Sequence, residues 1–136
     1  MEPLTLDEGT GNSRKGTVLV VDDNLEIREL TEMVLLDSGY EVALASDAES
    51  AIGMVAQDPG VFGLVLSDVN LPGLSGVELS TRLQSEYPDL PVMLVSGSAV
   101  KVPSGVEFLQ KPYSLADLME RVEQICRNRT IASGAH

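Results

Sequence analysis

The distribution of apolar residues along the chain predicts alternating strands and helices. Five short runs are mostly apolar and have the length of buried strands: 17–22, 41–45, 61–68, 90–97 and 106–110. Most segments between and after these runs place apolar residues three or four positions apart, which is the helical period. Because the strand-like runs are apolar almost throughout rather than alternating, the pattern indicates an α/β fold with a parallel sheet covered on both faces.

Residues that commonly cap helices mark the predicted helix ends. The N-terminal caps and capping boxes are Asp47, Ser75 with Glu78, and Ser114 with Asp117, and Gly39 closes the first helix. The predicted inward-facing residues are, in chain order, Ile27, Leu30 and Val34; Ala48, Ala51, Ile52 and Val55; Val77, Leu79 and Leu83; and Leu115, Leu118, Val122 and Ile125. These assignments give four helices, the last of which follows the fifth strand.

The connection between the fourth and fifth strands does not follow this alternation of strands and helices. Residues 98–105 read SAVKVPSG, and Pro103 and Gly105 leave room for at most one helical turn. The remaining segments define the domain organisation: 1–16 as a flexible N-terminal segment or linker, 17–128 as one folded domain, and 129–136 as a C-terminal tail.

Composition limits the classes of partner. The chain has 136 residues, enough for one domain, and a formal net charge of -12. Such a surface repels nucleic acid and anionic membranes, and no run of about 18 apolar residues is present, so we expect neither direct nucleic-acid binding nor membrane insertion. A single cysteine, Cys126, favours a reducing, cytoplasmic setting and is interpreted as a packed thiol; His136 is interpreted as part of a frayed terminus.

Polar residues with compatible chemistry end four of the five predicted strands. They are Asp22 and Asp23, Asp68, Ser96, and Lys111. Ligands of open α/β sheets gather at the carboxyl ends of the strands, where these residues would meet. Three crowded carboxylates repel one another by roughly 4 kcal/mol per close pair at an effective dielectric constant of about 20. A divalent cation such as Mg²⁺, together with the Lys111 ammonium, would neutralise them.

This set of residues predicts chemistry on phosphate. A metal ion and an ammonium beside a carboxylate stabilise a transferring phosphoryl group, and the carboxylate can be its covalent acceptor. Asp68 is the predicted acceptor because it stands alone on its strand, whereas Asp22 and Asp23 form the predicted metal-binding pair. The Ser96 hydroxyl would bond a phosphoryl oxygen. Each residue alone is also compatible with an ordinary turn or cap, and only the combination favours function.

The segments VLVVDDN, LVLSDVNLPGLSG, VMLVSGS and FLQKPYS resemble the receiver domain of two-component response regulators. The resemblance covers residues 17 to about 128. It implies a flavodoxin-like (CheY-like) doubly wound, five-stranded parallel sheet with strand order 2-1-3-4-5. The family's fourth helix, between strands four and five, is expected to be shortened or absent, since only 111 − 96 = 15 positions separate Ser96 from Lys111.

The resemblance also implies roles around the acidic residues. Asp68 would accept a phosphoryl group from a phosphohistidine on a sensor histidine kinase or a histidine phosphotransfer protein. Mg²⁺ would be bound by Asp22, Asp23, Asp68 and the backbone carbonyl of Asn70. Lys111 matches the family's lysine.

Further roles follow from the same resemblance for residues beside the pocket. Ser96 matches the hydroxyl switch residue, and the bond from Lys111 to Pro112 is expected to be cis. Phe108 matches an aromatic switch residue, with a core phenylalanine as an equal alternative, and Tyr113 is interpreted as a packing residue. The short connection puts the family's usual dimerisation and output surface in doubt, which leaves a homodimer open.

Three classes of function are weighed. The favoured one is a phosphoacceptor receiver domain, which is not a conventional enzyme but catalyses its own phosphorylation and dephosphorylation. A haloacid-dehalogenase-like phosphatase would require Asp-x-Asp, where this chain has Asp22 and Asn24, and a cap domain for which there is no length. A non-phosphorylated interaction domain is the third. Whether the domain is free-standing or part of a hybrid histidine kinase stays open.

Overall fold

The structure, a computed structural model, describes the backbone of residues 16–134 and the side chains of residues 16–128. Apart from Gly16, the predicted N-terminal segment lies outside the described residues, as does His136. Five strands and four helices are present in the described part of the chain. They are β1 (Thr17–Val21), α1 (Leu25–Asp37), β2 (Glu41–Ala45), α2 (Ala48–Gln57), β3 (Phe62–Asp68), α3 (Gly76–Glu86), β4 (Val92–Ser96), β5 (Glu107–Gln110) and α4 (Leu115–Gly134). Helix α4 continues beyond residue 128, where the sequence analysis ends the domain.

The five strands form one parallel sheet in the order β2-β1-β3-β4-β5, which confirms the predicted topology. Successive residues of β1 face opposite sides of this sheet. Leu19 and Val21 belong to one apolar core, and Val18 and Val20 belong to the other. Helices α2 and α3 cover the first face and α1 and α4 the second, so the central strands are buried on both sides, as their continuous apolar runs predict.

Capping residues start the helices where the sequence places them. The side chain of Asp47 accepts from the Ser50 backbone N–H at 2.7 Å at the start of α2. At α3, Ser75 and Glu78 form the predicted reciprocal capping box. Ser114 and Asp117 make the same reciprocal pair of hydrogen bonds before α4. These bonds satisfy N–H groups that the first helical turn leaves without backbone partners.

The buried face of α1 differs from the prediction. Ile27 and Leu30, expected to face the core, are 38% and 43% exposed, and Val34 is only half-buried. Thr31 and Leu35 are buried instead. The hydroxyl of Thr31 donates to the Ile27 carbonyl at 2.8 Å, so this polar side chain can enter the core with its hydrogen bond made. Apolar residues surround much of the helix, and spacing alone therefore cannot select the inward face.

Helix α4 follows its predicted pattern except at its first residue. Leu118, Val122 and Ile125 are buried, whereas Leu115 is 40% exposed, so its predicted inward position is wrong. The burial pattern shows that the helix reaches the core one turn after Leu115. Cys126 is partly buried and packs against the same core. No helix in the described part of the chain is long and apolar enough to span a membrane.

The connection between β4 and β5 contains no helix, so the family's helix at this place is absent, as predicted; the chain's fourth helix is α4, after β5. The connection packs Val100, Val102 and Val106 against the core in place of a helix. Gln84 of α3 donates from Nε2 to the Ser104 carbonyl at 3.0 Å and ties this loop to the neighbouring helix.

The start of α3 lies directly against the end of β3. Gly76 donates its backbone N–H to the Val69 carbonyl at 2.8 Å. A Cβ at this position would clash with the Asp68 carbonyl oxygen and would lie 2.8 Å from the Cα of Val69. Only glycine allows this approach of helix and strand, and the approach fixes the backbone that carries Asp68.

We expect Gly76→Ala to lower the free energy of unfolding by about 1–3 kcal/mol, because the added methyl group must displace the backbone of β3 or α3. Chemical denaturation measures this change. Gly53→Ala is the matched control, because Gly53 lies in α2 and a methyl group added there would meet no atom within 4 Å. That variant should gain about 0.5–1 kcal/mol from helix propensity. Equal effects at both positions would contradict the close approach.

Candidate functional site

Asp68 lies at the carboxyl end of the central strand β3, with both carboxylate oxygens engaged. Oδ1 accepts from the backbone N–H of Asn70 at 2.9 Å, and Oδ2 accepts from Nζ of Lys111 at 3.1 Å. The side chain is 12% exposed. The two bonds come from the loop after β3 and from the end of β5, so they fix the direction of the carboxylate from two sides. An oriented, partly exposed carboxylate is suited to attack an incoming electrophile.

Lys111 follows β5 and reaches the acidic residues across the end of β4. Its backbone N–H donates to the Ser96 carbonyl at 2.7 Å, and the Lys111–Pro112 peptide bond is cis. Burial lowers the pKa of the Lys111 ammonium, but the hydrogen bond and the charge of Asp68 outweigh it and the pKa is raised. Lys111 is therefore a cation at neutral pH.

Asp22 is the most buried acid of the site, with 5% of its surface exposed. Burial raises the pKa of its carboxyl group, and a hydrogen bond at 2.9 Å from the Asn24 backbone N–H opposes this. The negative charges of Asp68 and, to a smaller extent, Asp23 also raise the pKa of Asp22, whereas the positive charge of Lys111 lowers it. Together these effects raise the pKa of Asp22. These four charged side chains therefore share one electrostatic environment, as the strand-end pattern predicts.

The charges of this site fit a divalent cation. Three carboxylates and one ammonium, at Asp22, Asp23, Asp68 and Lys111, leave a formal charge of −3 + 1 = −2. No three His, Cys, Asp or Glu side chains among the described residues are arranged closely enough to hold a metal by themselves. A metal here would need carbonyl and water oxygens as further ligands, and Mg²⁺ commonly binds through one or two carboxylates and several waters.

Ser96 ends β4 and is buried beside the acidic residues. It is 1% exposed, and its Oγ accepts from the backbone N–H of Ser98 at 3.1 Å. The strand register pairs Asp68 with Val95, so Ser96 lies one residue beyond the partner of Asp68 on the neighbouring strand. This position places Ser96 at the same edge of the sheet as Asp68.

Phe108 and Asn70 are compatible with more than one role. Phe108 is half-buried on β5, opposite Leu94 in the strand register, and packs against the core shared by α2 and α3. A core residue and a switch residue would both occupy this place. Asn70 is exposed and uses its backbone N–H to hold Asp68, and the metal-binding role of its carbonyl stays a prediction.

Two side chains near the site were not recognised from the sequence. Tyr113, interpreted only as packing, is half-buried, and burial raises the pKa of its hydroxyl, with Lys111 lowering it and the charges of Asp22 and Asp68 raising it. Arg28 donates from Nη1 to the backbone carbonyl of Asp22 at 2.8 Å. The available signal was a basic residue close to the start of a helix, where the helix dipole disfavours it.

Comparison with known proteins defines the class. The family model for the response regulator receiver domain matches residues 18–123. The chain is 32% identical over 122 residues to the transcriptional regulatory protein FixJ of Bradyrhizobium diazoefficiens. It is 35% identical over 130 residues to the probable transcriptional regulatory protein TcrX of Mycobacterium tuberculosis. The chain therefore belongs to the response regulator receiver domain family, whose members act in two-component signal transduction.

The same relatives differ from this chain in length. The alignments cover 83% and 88% of this chain but only 58% of FixJ and 54% of TcrX. The chain thus spans little more than half the length of these curated relatives. The similarity therefore does not assign the regulatory activity of these longer proteins to this chain.

Solved structures with the same fold include the receiver domain of the hybrid histidine kinase CckA. It is 35% identical, with a TM-score of 0.74, and the match covers 82% of this chain and 99% of the CckA domain. A CheY-like receiver domain protein from Methanospirillum hungatei is 26% identical, with a TM-score of 0.79, covering 86% and 98%. These matches confirm the predicted flavodoxin-like fold.

We expect Asp22→Asn to stabilise the metal-free protein at neutral pH, because it removes a carboxylate whose pKa is raised by burial but keeps an oxygen for the Asn24 N–H. A carboxyl group with a raised pKa binds protons more tightly in the folded chain, so ionisation removes stability as pH rises above the unfolded value of 3.8. The difference between variant and wild type should therefore shrink as the pH approaches 4.

Urea denaturation at several pH values, without divalent cations, measures this difference. Asp89→Asn is the control, since Asp89 is an exposed acid in the loop after α3, outside the site. A destabilised Asp22→Asn variant at neutral pH would contradict the electrostatic description of the site.

Proposed function

We propose that this domain accepts a phosphoryl group on Asp68 from a phosphohistidine and catalyses this transfer itself. The observation that carries the proposal is the 3.1 Å contact between the Lys111 ammonium and Oδ2 of Asp68, beside the buried acid Asp22. The acceptor is held in place by a cation that can also neutralise the arriving phosphoryl group. Membership of the receiver family supports the same assignment.

The transfer is a nucleophilic displacement at phosphorus. A carboxylate oxygen of Asp68 forms a bond to phosphorus while the bond between phosphorus and the imidazole nitrogen breaks, and the imidazole leaves with the electron pair. The Lys111 ammonium stabilises the negative charge on the phosphoryl oxygens. Bound Mg²⁺, held by Asp22, Asp23, Asp68 and the Asn70 carbonyl, would supply a second positive charge at these oxygens.

Ser96 is proposed to respond to the new group. Its Oγ now accepts a hydrogen bond from Ser98, and a phosphoryl group on Asp68 offers oxygen acceptors to the Ser96 hydroxyl proton. Movement of Ser96 toward that group would also move the connection that begins at Gly97. The local charge change would then bias the conformation of this loop.

The exposed apolar face of α1 is the proposed docking surface for the phosphohistidine-bearing partner. Five of the seven large apolar side chains that are exposed in the described chain lie on this helix: Leu25, Ile27, Leu30, Met33 and Leu36. The helix begins immediately after the acidic pair, so a partner packed on it could present its histidine to Asp68. Receiver domains exchange phosphoryl groups with histidine kinases, and the proposed occupant is a helical segment of a kinase or phosphotransfer protein. Such exchange would place the domain in the cytoplasm.

Incubation with acetyl phosphate and Mg²⁺ should add one acid-labile phosphoryl group to the wild-type chain, detected by intact mass. Asp68→Ala should take up none, because the nucleophile is gone. Lys111→Met should be labelled at least about tenfold more slowly, since it loses one positively charged stabiliser of the transferring group. Asp89→Asn, an exposed acid outside the site, is the control. A wild-type chain that never becomes labelled would contradict the proposal.

The docking surface is tested by a double substitution, Leu30→Ser with Met33→Ser, which removes side chains that are 43% and 63% exposed. Transfer from a kinase or phosphotransfer protein that labels the wild type should slow about tenfold, in line with the loss of a central interface contact. Labelling by acetyl phosphate should be unchanged, because that small donor needs no docking surface.

Val61→Ser is the matched control for this experiment. Val61 is a 44% exposed apolar residue that lies outside α1, before β3. An equal loss of transfer in the control and the double variant would argue against a specific role of α1.

A further inference from the structure

The loop that carries the two predicted metal-binding acids is closed by a ring of hydrogen bonds, and Arg28 is its last member. The backbone N–H of Asn24 donates to Oδ1 of Asp22 at 2.9 Å. The backbone N–H of Arg28 donates to the Asn24 carbonyl at 3.0 Å, and Nη1 of Arg28 returns to the Asp22 carbonyl at 2.8 Å. The end of β1 and the first turn of α1 are thereby joined through one side chain.

The position of Arg28 opposes its local electrostatics. A cation close to a helix N-terminus is disfavoured by the helix dipole. Ion pairs in the described part of the chain use Arg82, Lys111 and Arg121, but none uses Arg28. Helical side chains point back toward the N-terminus, and this direction brings the half-buried Arg28 to the carbonyl of a residue that is 5% exposed. Its described partner is therefore the backbone of the acidic loop.

We propose that Arg28 is a positioning residue that orients Asp22 and Asp23 for Mg²⁺ binding. This inference rests on the proposed function, which assigns Mg²⁺ to those acids. The backbone N–H of Asp22 is held by the Ala45 carbonyl at 3.1 Å and its side chain by Asn24, so only its carbonyl side depends on Arg28. Release of that carbonyl would let the following peptide rotate and would move the carboxylate of Asp23 relative to that of Asp22.

Positioning and charge have opposite effects on metal affinity. Arg28 adds a positive charge near the site, so by charge alone its removal would strengthen the binding of a cation. Loss of the hydrogen bond to the Asp22 carbonyl would instead weaken binding, as is usual when a group that supports metal ligands is removed. The sign of the change in affinity therefore separates the two roles.

The experiment is a Mg²⁺ titration of the unphosphorylated protein, followed by the NMR amide shifts of residues 22, 23 and 68. Arg28→Met is expected to bind Mg²⁺ roughly tenfold more weakly than wild type, at the low end of the range for supporting residues. Arg28→Lys, which keeps a cationic donor, should recover part of the loss. Arg82→Met is the matched control, because it removes a guanidinium from an exposed ion pair with Glu86 on α3, and its affinity should equal that of wild type.

Amide shift dispersion shows whether each variant is folded, and Arg28→Ala, which also has no side-chain donor, serves as a second variant with the same expected weakening if Arg28→Met does not fold. If the wild type binds Mg²⁺ and a folded Arg28 variant binds it equally or more tightly, the inference about Arg28 is wrong, whereas the proposed function is unaffected. A wild-type protein with no Mg²⁺-dependent shift near Asp68 would overturn the metal site itself, and the inference with it.

Discussion

The repulsion among carboxylates at one edge of a parallel sheet is the constraint on which this structure depends. Asp22 directly follows β1 and Asp68 ends the neighbouring strand β3. Burial raises the pKa of Asp22, and the charge of Asp68 raises it further. Such a group of acids is tolerated only with positive charge nearby, and Lys111 supplies it from the end of β5. The protein part of the site stays net negative, which is the condition for attracting a divalent cation and, through it, an anionic phosphoryl group.

The fold also supports this crowding with contacts that hold the backbone around the acids. Gly76 lets α3 press against the carbonyl end of β3, and the Asn70 N–H holds one oxygen of Asp68. The ring closed by Arg28 restrains the acidic loop after β1 in the same way. The carboxylates of Asp22 and Asp68 thus each accept a hydrogen bond from a backbone N–H, and the energy released by packing two apolar cores keeps the acids together against their mutual repulsion.

Much of this arrangement could be predicted because it depends on patterns local to the sequence. Continuous apolar runs identified the strands, and acids directly after them identified the site, since all parallel strands end at one edge. The buried face of α1 could not be predicted, because Thr31 enters the core through a hydrogen bond that no periodicity reveals. The hydrogen bond from Arg28 to the Asp22 carbonyl was also missed, because it depends on side-chain direction, as was the electrostatic influence of the site on Tyr113, because it depends on charges distant in the chain.

The loop between β4 and β5 determines how a displacement at the end of β4 is transmitted to the rest of the domain. In a domain with a helix at this place, a shift at the end of β4 would move that helix as a rigid body. Here residues 97–106 form a short strap, anchored to α3 through the bond between Gln84 and the Ser104 carbonyl. The apolar contacts of Val100, Val102 and Val106 and this one hydrogen bond therefore replace a helix as the route by which a displacement at the end of β4 reaches the core and α3.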